Sequence, residues 1–111
     1  MSVTYIATKV HDKDCEVCQH MSRHDRSVFE EFPEIAYQEA ALDDLINHSG
    51  NFTKLRMYQC LERYALNPDY TIDLPVYLVM TKEGKYKGHH KGAATITELR
   101  SKIKQILQEN T

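Results

Sequence analysis

Cys15 and Cys18 bracket Glu16 and Val17 in a Cys-x-x-Cys, the most informative feature of this 111-residue chain. On a helical turn, two intervening residues bring the sulfurs within bonding reach with little strain, so the pair can pass between dithiol and disulfide. At a helix start the two thiols are unequal. Cys15 would occupy the first turn, beside unpaired backbone N–H groups and the positive end of the helix dipole, and is the expected nucleophile. Cys18, one turn further in, is the expected resolving thiol, which attacks a mixed disulfide at Cys15 and releases the reduced substrate. Asp14 and Glu16 act against the dipole, because negative charge beside Cys15 disfavours its thiolate. Asp14 is also a candidate N-cap of the same helix.

The neighbouring histidines offer a second chemistry. Cys15, Cys18, His20 and His24 form C-x2-C-x-H-x3-H, a cramped tetrahedral zinc set. Helical geometry weakens it: His20 points to another side from Cys18, and His24 falls with Val17 and Met21 on a buried stripe, as a packed histidine. Gln19 stands where c-type haem attachment requires histidine. His89 and His90 alternate across a strand and read as surface residues. Cys60, in helical register with Met57, Leu61 and Tyr64, reads as a buried inert thiol, with a regulatory or intermolecular thiol as the alternative. The tyrosines are scattered, as core and rim residues rather than a platform for stacked bases.

These residues must be carried by regular elements. Residues 3–9 alternate and are rich in β-branched and aromatic types, which predicts a strand ending just before the cysteine pair. Val17, Met21, His24 and Val28 recur at helical spacing until Pro33. A second strand is predicted over 35–41, a turn over 47–51, and a helix over 52–66 carried by Leu55, Tyr58, Leu61 and Ala65 and stopped at Asn67-Pro68-Asp69. Pro75 heads a continuous apolar run over 76–80, the pattern of a central strand. Residues 82–85 form a hairpin turn and 86–90 the returning strand. Thr95 and Glu98 make a capping box ahead of a last helix whose stripe is Ile96, Leu99, Ile103, Ile106 and Leu107. The order β-α-β-α-β-β-α predicts an α/β fold: one mixed four-stranded sheet with helices on both faces. The Cys-x-x-Cys lies at the carboxyl end of the first strand, where open α/β sheets carry their sites.

Composition bounds the rest. With 41% hydrophobic and 27% charged residues the chain suits one domain, residues 1–111, able to fold without a disulfide framework or a structural metal. A formal charge of −2 argues against a nucleic-acid partner. Acids predominate over residues 12–44 and bases over 82–104, which reads as solvated faces, with a docking surface as the minority alternative. Apolar runs are too short for a membrane span, and the first ten residues lack a secretory pattern, so a cytoplasmic location is expected. In that compartment a paired cysteine motif implies redox chemistry or metal binding rather than a permanent staple.

Three blocks make the chain resemble the thioredoxin superfamily, nearer to thioredoxin than to glutaredoxin. They are Cys15-Glu16-Val17-Cys18; Tyr64-Ala65-Leu66 followed by Ile72-Asp73-Leu74-Pro75-Val76-Tyr77-Leu78-Val79; and Gly84, Gly88 and Gly92-Ala93 with Leu99 beyond. The chain departs from the family pattern in four ways. Glu16-Val17 replaces the usual Gly-Pro, Asp14 stands in place of a tryptophan, and Lys9 sits where thioredoxins commonly bury an aspartate that aids proton transfer. The stretch before Pro75 is also longer.

The resemblance implies a thioredoxin-like fold and a cis Leu74–Pro75 peptide that sets the backbone of Leu74 beside Cys15, where a substrate segment adds as a strand. A trans proline at a strand start is the alternative. The resemblance also places Gly92 on the partner-binding surface. The activity it implies is protein dithiol–disulfide exchange through Cys15 and Cys18, with no cofactor, on disulfide-containing protein substrates. The electron donor would be a thioredoxin-reductase-like flavoenzyme or another thiol system. The acids beside Cys15 suggest a thiol pKa above the family's usual value and a reducing potential, around −270 mV. Two other readings stand: a redox-inactive thioredoxin-fold binding module that uses the surface around Leu74, Pro75 and Gly92, and a Cys/His metal-binding protein.

Overall fold

The sheet is built outward from β1 (Tyr5–His11), whose four central residues are buried on both faces. In the computed structural model, which describes residues 3–22 and 24–109, β1 pairs in parallel with β2 (Ile35–Ala41) and antiparallel with β3 (Val76–Thr81). β3 in turn pairs antiparallel with β4 (Tyr86–Lys91), giving the strand order β2-β1-β3-β4. The chain ends and Arg23, part of the expected first helix, lie outside the described residues. A strand covered on both faces selects apolar residues at consecutive positions, which is why Val76 to Met80 form an unbroken buried run. β1 begins two residues later than the alternation suggested and runs to His11, because its ladder with β2 extends to the His11–Ala41 pair.

The expected first helix is two short helices, α1 (Glu16–Met21) and α2 (Asp25–Phe29). The break after Met21 changes the register. Met21, Val28 and Phe29 enter the core with Ala7, Tyr77, Leu99 and Ile103, whereas Val17 is 40% exposed and His24 lies at the surface. His24 is therefore not the packed histidine that an unbroken helix would make it.

On the other face, α3 (Leu42–Ile46) was not evident from the pattern; Leu45, fully buried, anchors it. α4 (Phe52–Cys60) is capped by Asn51, whose side chain accepts from the Lys54 N–H at 3.0 Å. It continues through a π-helical turn over Leu61–Ala65. The buried stripe of this helix is Met57, Cys60, Leu61 and Ala65, packed against Val10, Leu78 and Met80, while Leu55 and Tyr58 sit at its margin. α5 (Ile96–Glu109) starts with the expected reciprocal cap: the Glu98 N–H donates to Thr95 Oγ1 at 3.1 Å, and the Thr95 N–H to Glu98 Oε1 at 3.2 Å. Leu99, Ile103 and Ile106 bury its apolar face; Ile96 remains 38% exposed.

Candidate active site

The loop after β1 delivers Cys15 to the head of α1. Cys15 itself is the N-cap, in an extended conformation, with its backbone N–H donating to the Asp12 carbonyl at 3.1 Å. Its sulfur, rather than the carboxylate of Asp14, accepts the Cys18 N–H at 3.1 Å, so Asp14 is not the cap that the sequence suggested. Cys15 and Cys18 are joined by a disulfide, with Cα atoms 5.2 Å apart. The two sulfurs differ in surroundings: Cys15 is half-buried, whereas Cys18 is 3% exposed.

Sheet register brings the other two expected site segments to the same end of the molecule. Val10, near the end of β1, pairs with Val76 at the start of β3, and Val76 pairs with Lys91 at the end of β4. The Cys15 loop, Pro75 and Gly92 therefore share one edge of the fold. The Leu74–Pro75 peptide is cis, as the resemblance implied, and Pro75 is buried. The Gly92 N–H donates to the Pro75 carbonyl at 2.9 Å. Gly92 has φ +85°, a conformation that glycine adopts without the steric cost of a Cβ. Beside α1 an open groove of about 620 Å³ has an apolar floor of Val17, Met21, Ala93 and Ala94, with Glu16 and Glu98 among its walls.

The histidines do not join the cysteines. The His20 and His24 rings lie edge to face, 6.4 Å apart, and both residues are exposed. Among the described residues, no three or more His, Cys, Asp or Glu side chains come together as a metal site. His89 and His90 are not plain surface residues either. Both are half-buried, the Tyr86 hydroxyl lies 2.6 Å from His89 Nδ1, and burial, reinforced by Lys102, pushes both imidazoles below their usual pKa. Cys60 is 4% exposed, and burial pushes its thiol up against the opposing pull of Arg56 and Arg63.

One polar cluster escaped the sequence reading. Lys9 and Asp25 are buried, at 2% and 0% exposure, with Lys9 Nζ 2.6 Å from Asp25 Oδ2. Lys9 Nζ also donates to the Cys18 carbonyl at 2.8 Å, and the Tyr77 hydroxyl donates to Asp25 Oδ2 at 3.1 Å. Burial, followed by the Asp25 charge, holds the Tyr77 hydroxyl well above the usual phenol pKa. The available signal was Lys9 itself, a lysine closing the first predicted strand at the place where the resemblance expects a buried aspartate. Its partner was hidden because Asp25 belongs to a helix that an unbroken periodicity would have aligned differently.

Solved structures match this architecture over nearly the whole chain. Mitochondrial thioredoxin 3 of Saccharomyces cerevisiae, in its oxidised form, superposes with a TM-score of 0.62 at 17% identity, over 93% of this chain and 79% of that one. Thioredoxin of Trypanosoma brucei brucei gives 0.61 at 20% identity, over 96% and 78%. Thioredoxin of Fasciola hepatica gives 0.60 at 18% identity, over 94% and 82%. The chain has the thioredoxin fold. No family model matches its sequence, and no curated protein is recognisably similar to it. In this thioredoxin-fold chain the Cys-x-x-Cys occupies the end of the first sheet strand and the head of the first helix, with Glu16-Val17 between the sulfurs.

Proposed function

We propose that this thioredoxin-fold chain is a thiol–disulfide oxidoreductase that reduces protein disulfides. The observation that carries the reading is the bonded Cys15–Cys18 pair at a helix head, one sulfur half-exposed and the other buried. In the reduced protein the Cys15 thiolate attacks a substrate sulfur. A mixed disulfide forms, and the first substrate thiolate leaves and takes a proton from solvent. Cys18, after losing its proton, attacks Cys15 Sγ. The mixed disulfide breaks, the second substrate thiolate leaves, and the Cys15–Cys18 disulfide carries the two electrons' worth of oxidation. No bound cofactor is required, because the sulfurs themselves exchange the electron pair.

The substrate segment is read as extended chain laid beside Leu74 and Pro75, with Gly92 and the apolar floor of the groove as its other contacts. The cycle closes when an external donor, a thioredoxin-reductase-like flavoenzyme or another thiol system, returns two electrons to the disulfide. A reducing, cytoplasmic setting suits that direction of flow.

The test is reduction of insulin disulfides by dithiothreitol with the wild type, Cys15→Ser and Cys18→Ser, beside metal analysis of the purified protein. Turnover by the wild type that is abolished in Cys15→Ser, with no stoichiometric zinc, is the expected result. Wild-type protein that is folded yet gives no acceleration, or that holds one zinc per chain through the cysteines, overturns the proposal.

A further inference from the structure

We infer that Lys9, held by Asp25, is the positioning residue that governs ionisation of the resolving thiol, its buried ammonium favouring the thiolate of Cys18. The inference rests on the dithiol reading above and adds a role for a residue outside the cysteine motif. The family resemblance put a carboxylate at this place in β1; the chain has a cation there, and its carboxylate comes from Asp25 of α2 instead.

The geometry orients the charge. Lys9 Nζ is bound to the carbonyl of Cys18 itself, and Lys9 and Cys18 line one cavity of about 420 Å³ with Gln19, Ser22 and Glu39. Asp25 reaches the ammonium from α2, and its Oδ2 is shared with the Tyr77 hydroxyl. Its Oδ1 is buried and unpartnered among the described residues. The ion pair is thus a dipole within the fold, its positive end on the α1 turn that carries Cys18. In a poorly solvated setting a nearby cation stabilises an anion far more than it does in water.

A protonated lysine cannot accept the Cys18 proton. Lys9 instead lowers the cost of the anion while the proton leaves to solvent through the shared cavity. The sulfur's electron pair then forms the bond to Cys15 Sγ, and the pair of the broken mixed disulfide departs on the substrate sulfur. The other ionisable groups facing this cavity are His11 of β1, Asp12 and Lys13 of the following loop, and Glu39 of β2. Glu39 is exposed to water, whereas Lys9, at the cavity wall, and Asp25 behind it are buried. Tyr77 of β3 and Tyr37 of β2 stay protonated, since burial and then the Asp25 charge hold both hydroxyls above the usual phenol range.

The experiment follows the Cβ chemical shift of Cys18 against pH in reduced, cysteine-labelled protein without substrate, with Cys15→Ser and Cys60→Ser assigning the Cys18 signal among the three. Because no turnover is involved, the result is independent of whether insulin is reduced. Lys9→Met is expected to raise the Cys18 midpoint by about one unit or more and Asp25→Asn to lower it. Resolution of a mixed disulfide preformed at Cys15 should slow about tenfold at pH 7 in Lys9→Met, following the thiolate fraction. Merely structural roles would move both variants the same way. Midpoints that shift together, or that do not shift, overturn the inference. If a single variant does not fold, the neutral pair Lys9→Met/Asp25→Asn decides: a midpoint above wild type supports the role of Lys9, and one at or below it overturns that role.

Discussion

Lys9 Nζ lies 2.6 Å from Asp25 Oδ2, and neither side chain is accessible to water beyond 2%. Buried ions of opposite sign tolerate each other's company far better than either tolerates solitude. Asp25→Ala, which strands the ammonium, should destabilise the oxidised protein by about 3–5 kcal/mol in urea unfolding. The neutral pair Lys9→Met/Asp25→Asn should cost less than the sum of the two single changes, since it removes both charges together. Simple additivity would show that the two groups are not energetically coupled.

The depressed imidazoles of His89 and His90 imply a pH dependence with a definite sign. Burial, helped by Lys102, lowers both below the usual histidine value, so in the window beneath about pH 6.5 the unfolded chain binds protons that the folded chain does not. Stability contributed by the neutral rings is therefore present above that window and declines as pH falls through it. Urea midpoints at pH 7.5 and pH 5.5 should differ less in His89→Asn/His90→Asn than in the wild type. An unchanged difference would remove these residues from the account of acid sensitivity.

Gly88 in β4 faces α5 where no side chain fits. A Cβ there would lie 2.7 Å from Ile106 Cγ1 and 2.9 Å from Cδ1. Gly88→Ala should cost about 1–3 kcal/mol through overpacking, measured by thermal or urea unfolding. Adding Ile106→Val, which deletes Cδ1, should recover part of the loss. No cost in the single variant would mean that α5 moves away freely.

Cys60, the last residue of α4, is buried in the core, and burial pushes its thiol up. A bulky maleimide at pH 7.5 should leave Cys60 unmodified in the native oxidised protein and modify it fully in 6 M guanidinium, as read by intact mass. Stoichiometric labelling under native conditions would instead indicate a thiol available for regulation or intermolecular pairing.

Much of this architecture was legible without coordinates. The apolar run after Pro75, the hairpin over 82–85 and the Thr95–Glu98 cap are signalled by neighbours in sequence, and periodicity located α5 because it buries one consistent face. β2 and α4 fall where expected, although the buried stripe of α4 and the turn that continues it is Met57, Cys60, Leu61 and Ala65. The spacing of Cys15 and Cys18 likewise carries its chemistry in two intervening residues. The break between α1 and α2, by contrast, is visible only when Met21 and Val28 are seen to pack on the same core from separate helices. α3 depends on burying Leu45 against a distant surface. The Lys9–Asp25 pair requires a strand and a helix to meet, and Gly92 reaches Pro75 only through sheet register. Local periodicity records which face a segment hides; it does not record what stands opposite. Buried charges and shared edges are fixed by long-range pairing, whose energetics no short stretch of chain contains.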